Sequence, residues 1–216
     1  MDLIMNGLIA NDVYWWRALD ERVLDTRGKI LQAAYQEIHY QGFQSASLAN
    51  ILARVNVTKG ALYHHFANKI ELGYAVVDEV IAERIHLSFI KPLQYFDNPV
   101  DGFIELISRS SDAFSMTDIE LGCPLTNLAQ EMAPIDEGFR TRFIQIYEQW
   151  YQAITAAMLR AKQANQIIDT VDLDKLAVTL VAIMEGALNA AKVAQSLDKL
   201  KLCGDGLIQY LELIRK

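Results

Sequence analysis

The run Thr58-Lys59-Gly60-Ala61-Leu62-Tyr63-His64-His65-Phe66-Ala67-Asn68-Lys69 constrains this chain most, because it assigns a polar face and an apolar face to one short helix. Thr58 is suited to cap that helix, and its hydroxyl or the first N–H groups can meet a phosphate. Lys59 and Gly60 fall in the first turn, where the glycine gives a backbone room to approach DNA and the lysine reaches a base edge or a phosphate. Tyr63, His64 and His65 extend the polar face, while Leu62 and Phe66, at i and i+4, form an anchoring face. Asn68 can cap the next helix. Lys69 then stands in a first turn, where a cation opposes the helix dipole, so the position fits a phosphate contact better than a helix-stabilising role.

The preceding residues supply the rest of a helix-turn-helix. Leu48, Ile51, Leu52 and Val55 repeat at helical spacing, and Asn56 follows where a tight turn needs a residue tolerant of positive φ. Thr26 to Gln41 reads as an earlier helix with Ile30, Ala34 and Ile38 on one stripe, ended by Gly42; Phe43 and the Ser45/Ser47 caps lead on. The competing reading, an ordinary αα-hairpin with its polar residues facing water, does not call for a third helix at this point.

Thr26 to Lys69 resembles the N-terminal domain of the TetR family of bacterial transcriptional repressors, the run Val57 to Phe66 with Lys69 being close to the family signature. The resemblance implies that Ser47, Thr58, Lys59, Gly60, Tyr63, His64, His65 and Lys69 contact DNA, mostly its phosphates. Asn56 departs from the Gly that many members carry, but it tolerates the same left-handed geometry. Repression, and a second domain that holds a small effector and thereby shifts the separation or mobility of two DNA-reading domains, are likewise implied by the resemblance.

The charge of the chain fits a DNA-binding protein only once its distribution is considered. The formal net charge is −7, but residues 24–70 hold five basic residues (Arg27, Lys29, Arg54, Lys59, Lys69) and two acidic ones (Asp25, Glu37), or +3, leaving −10 elsewhere. Cys123 and Cys203, 80 positions apart, make no secreted disulfide framework, and no Cys/His cluster has zinc-ligand spacing, so neither metal nor cofactor is expected. A reducing cytoplasm fits. No 18-residue apolar run appears anywhere, and the apolar residues near the start are broken by Asn6 and Gly7, so neither export nor a membrane span is expected. Residues 1–23, with Tyr14-Trp15-Trp16, fall outside the resemblance; an extra helix, a partner-binding arm and an upstream extension of the reading frame all fit them.

Residues 71–216, beyond a reading head over 24–70, carry no strand pattern or repeat, so the expected class is all-α, with an N-terminal three-helix DNA-binding domain and a C-terminal helical ligand-binding and dimerisation domain. One helix is expected from Ile70 to about Ile90, closed by Lys91-Pro92, and another from Asn98-Pro99 to about Ser115. After the Gly122-Cys123-Pro124 break come a short helix, Leu125 to Met132, and a long one, from about Glu137 to Asn165. The candidate effector lining is Phe103, Phe114, Cys123, Asn127, Phe143, Tyr147, Trp150 and Met184, with Met116, Tyr151, Met158, Gln130 and Glu185 nearby in type; an aromatic and Met stripe at helical spacing equally describes plain core.

Cys123 just before a predicted helix is placed for a lowered thiol pKa, hence for sensing electrophiles or oxidants; a similar Gly-Cys segment in related TetR repressors supports this. A buried, inert cysteine is the alternative. A thiol enzyme is the more distant one, since His39, His64, His65 and His86 bear no local relation to Cys123. A homodimer is expected through the last two helices, although a monomer could bury their apolar residues inside its own core. Ala182, Gly186, Ala190 and Ala194 recur every four positions beside Leu176, Leu180, Ile183 and Ala187, and Leu207, Tyr210, Leu211 and Ile214 share a side of the final helix. Such a dimer would match a palindromic operator in double-stranded DNA.

Overall fold

The computed structural model describes residues 25–216, so the expected extension over residues 1–23 lies outside the described residues. Most helices begin where a short polar side chain accepts a bond from an amide that the helix itself leaves unpaired. Asp25 caps α1 (Thr26–Gln41), Ser47 caps α2 (Leu48–Val55), Thr58 caps α3 (Lys59–His65) and Asn68 caps α4 (Lys69–Ala75). From α4 the chain stays helical to Ile90, but Val76–Ile81 and His86–Ile90 are wider π-helical turns flanking Ala82–Ile85, so the helix expected over this span is not α-helical throughout.

The later helices are α5 (Pro99–Ala113), α6 (Met116–Leu121), α7 (Pro124–Met132), α8 (Glu137–Gln163), α9 (Leu173–Ala194) and α10 (Leu197–Ile214). The helix expected to reach Ser115 ends at Ala113, and α6 has no counterpart in the sequence reading. Its cause is local: Ser115 accepts from Asp118 N–H, and the Asp118 carboxylate accepts from Ser115 N–H at 2.8 Å, a reciprocal capping box that restarts the helix. The described residues are all-α, and one isolated bridge joins Ile167 to Arg215.

These residues divide into two compact units. One comprises residues 25–85 and Cys123–Tyr147. Its core contains Ile30, Ala34, Ile51, Leu62, Phe66, Leu72 and Val76, together with Phe139 and Phe143 from α8. Phe139 meets Phe43 and Tyr74 edge-on at centroid distances of 4.8 and 4.9 Å and stacks on Phe143 at 5.9 Å. The other unit comprises His86–Gly122 and Glu148–Lys216. There α10 packs on both α9 and α5, and Ile119, Ala191 and Leu200 bury one another under Phe114 and Leu188.

One expectation for the last helices needs correction. Leu176, Leu180, Leu207, Leu211 and Ile214 are buried inside their own chain, because they lie on the faces where α9, α10 and α5 meet. The apolar residues left open are Val178, Ala182, Gly186 and Val193 on α9 and Leu202, Gly206, Tyr210 and Leu213 on α10. Leu173–Ala194 also holds an 18-residue window of mean hydropathy 1.5, which by length and composition alone is apolar enough to cross a membrane, although Glu185 interrupts it. Only 33% of that window is buried within the chain.

Gly73 sits where α4 passes the aromatic cluster: a Cβ there would stand 2.4 Å from Phe43 Cε2 and 2.7 Å from Phe139 Cζ. Both rings are buried, so neither can swing away. Gly73→Ala should therefore destabilise the fold by about 1–3 kcal/mol despite the better helix propensity of alanine. Denaturant unfolding monitored by circular dichroism would measure it, and an unchanged midpoint would disprove the tight packing.

Candidate nucleic-acid interface

The reading helix is built from its buried side outward. Leu62 is fully buried and Phe66 nearly so, which fixes α3 against its unit. With that face pinned, Thr58, Lys59, Gly60, Tyr63 and His64 are exposed, and His65 is half-buried at the edge. The turn leading in closes as its residues require: Asn56 adopts φ 52°, ψ 47°, and its N–H and that of Val57 both reach back to Leu52 O. Thr58 Oγ1 accepts from Ala61 N–H at 3.2 Å, which leaves its hydroxyl proton for an outside acceptor.

On the exposed face, Lys59 Nζ lies 5.7 Å from the Tyr63 ring centroid, one turn away, an arrangement that holds cation and aromatic on the same side. The His64 and His65 rings meet edge-on at 5.0 Å. Gly60 is open: a Cβ built there would meet only Thr58 Oγ1, at 3.8 Å. Among the described residues, no packing demands glycine at this position.

Ser47 and Lys69 are more engaged than the sequence suggests. Ser47 Oγ caps α2 through Asn50 N–H at 3.4 Å, and its own N–H donates to Glu37 Oε1 at 3.3 Å. Lys69 Nζ donates to Gln44 O at 3.0 Å and lies 5.0 Å over the Phe43 ring. Partial burial draws the Lys69 ammonium below the usual lysine pKa, and the nearby Glu131 charge opposes that shift.

Two carboxylates that organise this region escaped the sequence reading. Glu37 is buried and accepts from Asn50 Nδ2 at 2.8 Å, with Arg54 3.6 Å away, so it ties α1 to α2. The signal was present, since position 37 is seven residues after Ile30 and therefore on the buried stripe. Glu131 on α7 accepts from the N–H groups of Phe43 and Gln44, both at 2.8 Å, across 88 and 87 positions of sequence. No local pattern announces such a pair.

The residues expected to line an effector pocket divide between the two units: Phe103, Phe114, Trp150 and Met184 in one, Cys123, Asn127, Phe143 and Tyr147 in the other. Phe103, Phe143 and Trp150 are buried. Trp150 stacks on Phe89 at 5.0 Å, and its buried Nε1 has no hydrogen-bond partner among the described residues. Cys123 is half-buried at the N-cap of α7. Among the described residues, no group of three or more His, Cys, Asp and Glu is arranged to hold a metal ion.

The arrangement of α2, α3 and their turn has close parallels. Residues 30–76 match the domain described as bacterial regulatory proteins, tetR family, and residues 99–205 match the C-terminal domain of LmrA/YxaF-like transcriptional regulators. The uncharacterized HTH-type transcriptional regulator YxaF of Bacillus subtilis is 30% identical over 152 residues, spanning 66% of this chain and 77% of YxaF. The HTH-type transcriptional repressor DhaR of Mycobacterium sp. (strain GP1) is 23% identical over 181 residues, 81% of this chain and 86% of DhaR. A crystal structure of a TetR transcriptional regulator from Chloroflexus aurantiacus superposes with a TM-score of 0.77 at 26% identity, covering 92% of this chain and 98% of that one. Helix α3, pinned by Leu62 and Phe66, thus lies within the matched tetR-family domain, and the chain belongs to the TetR family of bacterial DNA-binding transcriptional regulators.

Proposed function

We propose that this regulator is a cytoplasmic repressor that binds a palindromic operator as a homodimer and is released by a small-molecule effector. The observation that carries the reading is the exposed face of α3, which offers a cation, an aromatic ring, an imidazole and an open glycine while Leu62 and Phe66 anchor the opposite side. Residues 24–70 read DNA, through Ser47, Thr58, Lys59, Gly60, Tyr63, His64, His65 and Lys69, and residues 71–216 bind effector and partner. DhaR, named a repressor, supports the direction of regulation.

The effector contacts are drawn from Phe103, Phe114, Cys123, Asn127, Phe143, Tyr147, Trp150 and Met184. A buried indole N–H without a partner is costly, so Trp150 favours an apolar effector bearing a hydrogen-bond acceptor. The homodimer forms on the face carrying Val178, Ala182, Gly186 and Val193 with Leu202, Gly206, Tyr210 and Leu213, since these apolar residues are exposed at helical spacing on adjoining helices. A second reading rests on Cys123 at the N-cap of α7, the helix whose last turn carries Glu131: modification of the thiol would then perturb the helix that holds the α1–α2 turn.

Lys59→Ala and Lys69→Ala should each weaken operator binding and make its salt dependence shallower by roughly one unit per lost phosphate contact. Gly60→Ala should leave stability equal or higher, since its Cβ meets only Thr58 Oγ1 at 3.8 Å, yet lower DNA affinity by holding the backbone off the duplex. Fluorescence anisotropy at several salt concentrations would read these effects; full affinity in all three variants would remove α3 as the reading helix.

A Cβ at Gly186 would meet nothing within 4 Å in its own chain, so Gly186→Leu should leave the subunit folded while weakening the dimer by about 1–3 kcal/mol through overpacking against the partner. Analytical ultracentrifugation over a concentration series tests this. A wild-type monomer, or an unaltered dimer in the variant, would argue against the α9–α10 face.

For the second reading, a small thiol-reactive electrophile should modify Cys123 ahead of Cys203 and release operator DNA, and Cys123→Ser should bind DNA but lose the response. Peptide mass spectrometry alongside a gel shift gives the answer. A fully responsive Cys123→Ser protein would leave only the noncovalent effector.

A further inference from the structure

The α1–α2 turn is gripped from two sides by charges that come from outside it. Gly42, at φ 81°, turns the chain out of α1, and the N–H groups of Phe43 and Gln44 then present a small anion-binding concavity. Glu131 fills it, with Oε2 accepting from Phe43 N–H and Oε1 from Gln44 N–H, both at 2.8 Å. A Cβ on residue 42 would lie 3.0 Å from Oε2, so the absent side chain admits the carboxylate as well as the turn. From the other side, Lys69 Nζ takes the Gln44 carbonyl at 3.0 Å. The turn closes internally through Ala46 N–H to Gly42 O at 3.0 Å, and Ser47, the cap of α2, is the next residue.

We propose that Glu131 is a positioning residue for DNA binding: its two-oxygen grip on Phe43 and Gln44 sets the α1–α2 turn, and with it the Ser47 cap and the Lys69 ammonium, without touching DNA. The inference rests on the assignment of residues 24–70 as the reading head. Phe43 is buried and its ring is locked against Phe139, so when the carboxylate is lost its N–H cannot simply turn to water. The turn must shift instead. Gln44 is exposed and moves with it, carrying the carbonyl that holds Lys69.

The discriminating variant is Glu131→Gln, which keeps size and packing but offers one oxygen and one NH2 group, so one of the two amides loses its acceptor. The probe is a duplex selected from random DNA by the full-length wild-type protein. We expect about a tenfold loss of affinity, a salt slope shallower by no more than the roughly one unit that Lys69→Ala removes, and faster hydrogen exchange at the Phe43 and Gln44 amides. Glu131→Asp, which retains both acceptors on a shorter arm, should recover part of the affinity. An altered sequence preference in Glu131→Gln would make Glu131 a direct base contact and overturn the assignment. A lowered melting temperature with unchanged DNA affinity would reduce it to a structural role and overturn it equally. Failure of the wild type to enrich any duplex would instead sink the reading head, and this inference with it.

Discussion

Phe139 is the contact on which the reading unit depends. Its ring meets Phe43, from the α1–α2 turn, and Tyr74, from α4, within 5 Å of centroid separation, and so joins three stretches of chain far apart in sequence. Edge-to-face packing of buried rings is worth more than the area it covers, and it fixes orientation as well as distance. The polar contacts around it follow from that registration. Tyr74 donates to Asp136 at 2.8 Å, the same carboxylate oxygen accepts from Phe139 N–H at 2.9 Å, and Arg142 covers the Tyr74 ring at 3.9 Å. Those bonds hold the Asp136 carboxyl below its usual pKa, the backbone N–H of Phe139 first and the Tyr74 hydroxyl second. A three-helix head of this size buries little by itself, and the segment Cys123–Tyr147 supplies the missing side of its core.

What the sequence disclosed about this unit was whatever depends on neighbours in the chain. Thr58, Asn68 and Asn56 were legible because a cap or a left-handed turn is decided within three or four residues, and the structure has each performing that task. The anchoring role of Leu62 and Phe66 followed from periodicity alone. Glu37 and Glu131 were not legible in the same way. A carboxylate reads as a solvated charge until its partners are known; those of Glu131 lie 87 and 88 positions away. Ser115 was a different omission: its capping box with Asp118 is local and was available to a closer reading.

The C-terminal helices mark a limit of periodicity itself. Helix α9 is apolar on more than one face, so residues 176 and 180 and residues 178, 182 and 186 each form a plausible stripe, offset by two positions, about 160° around the axis given some 100° per residue. Spacing cannot say which of two opposed stripes meets the chain's own core. Packing of α10 against α5 and α9 decides it, burying Leu176 and Leu180 and leaving open space where a Cβ at Gly186 would stand, among the described residues.

Lys69 brings the local and the distant together. Its place in the first turn of α4 opposes the helix dipole, which by itself suggests an ammonium waiting for a phosphate. Yet Nζ already holds the Gln44 carbonyl and lies over Phe43. These statements are compatible because an ammonium has three donors and the carbonyl occupies one. The bond restricts where Nζ stands without exhausting what it can bind, so less side-chain freedom would be lost on meeting a phosphate, as proposed. The carbonyl that restricts it belongs to the peptide segment held by Glu131, and the ring beneath it is held by Phe139. The position of this cation, a proposed DNA contact, is therefore set in part by residues of α7 and α8.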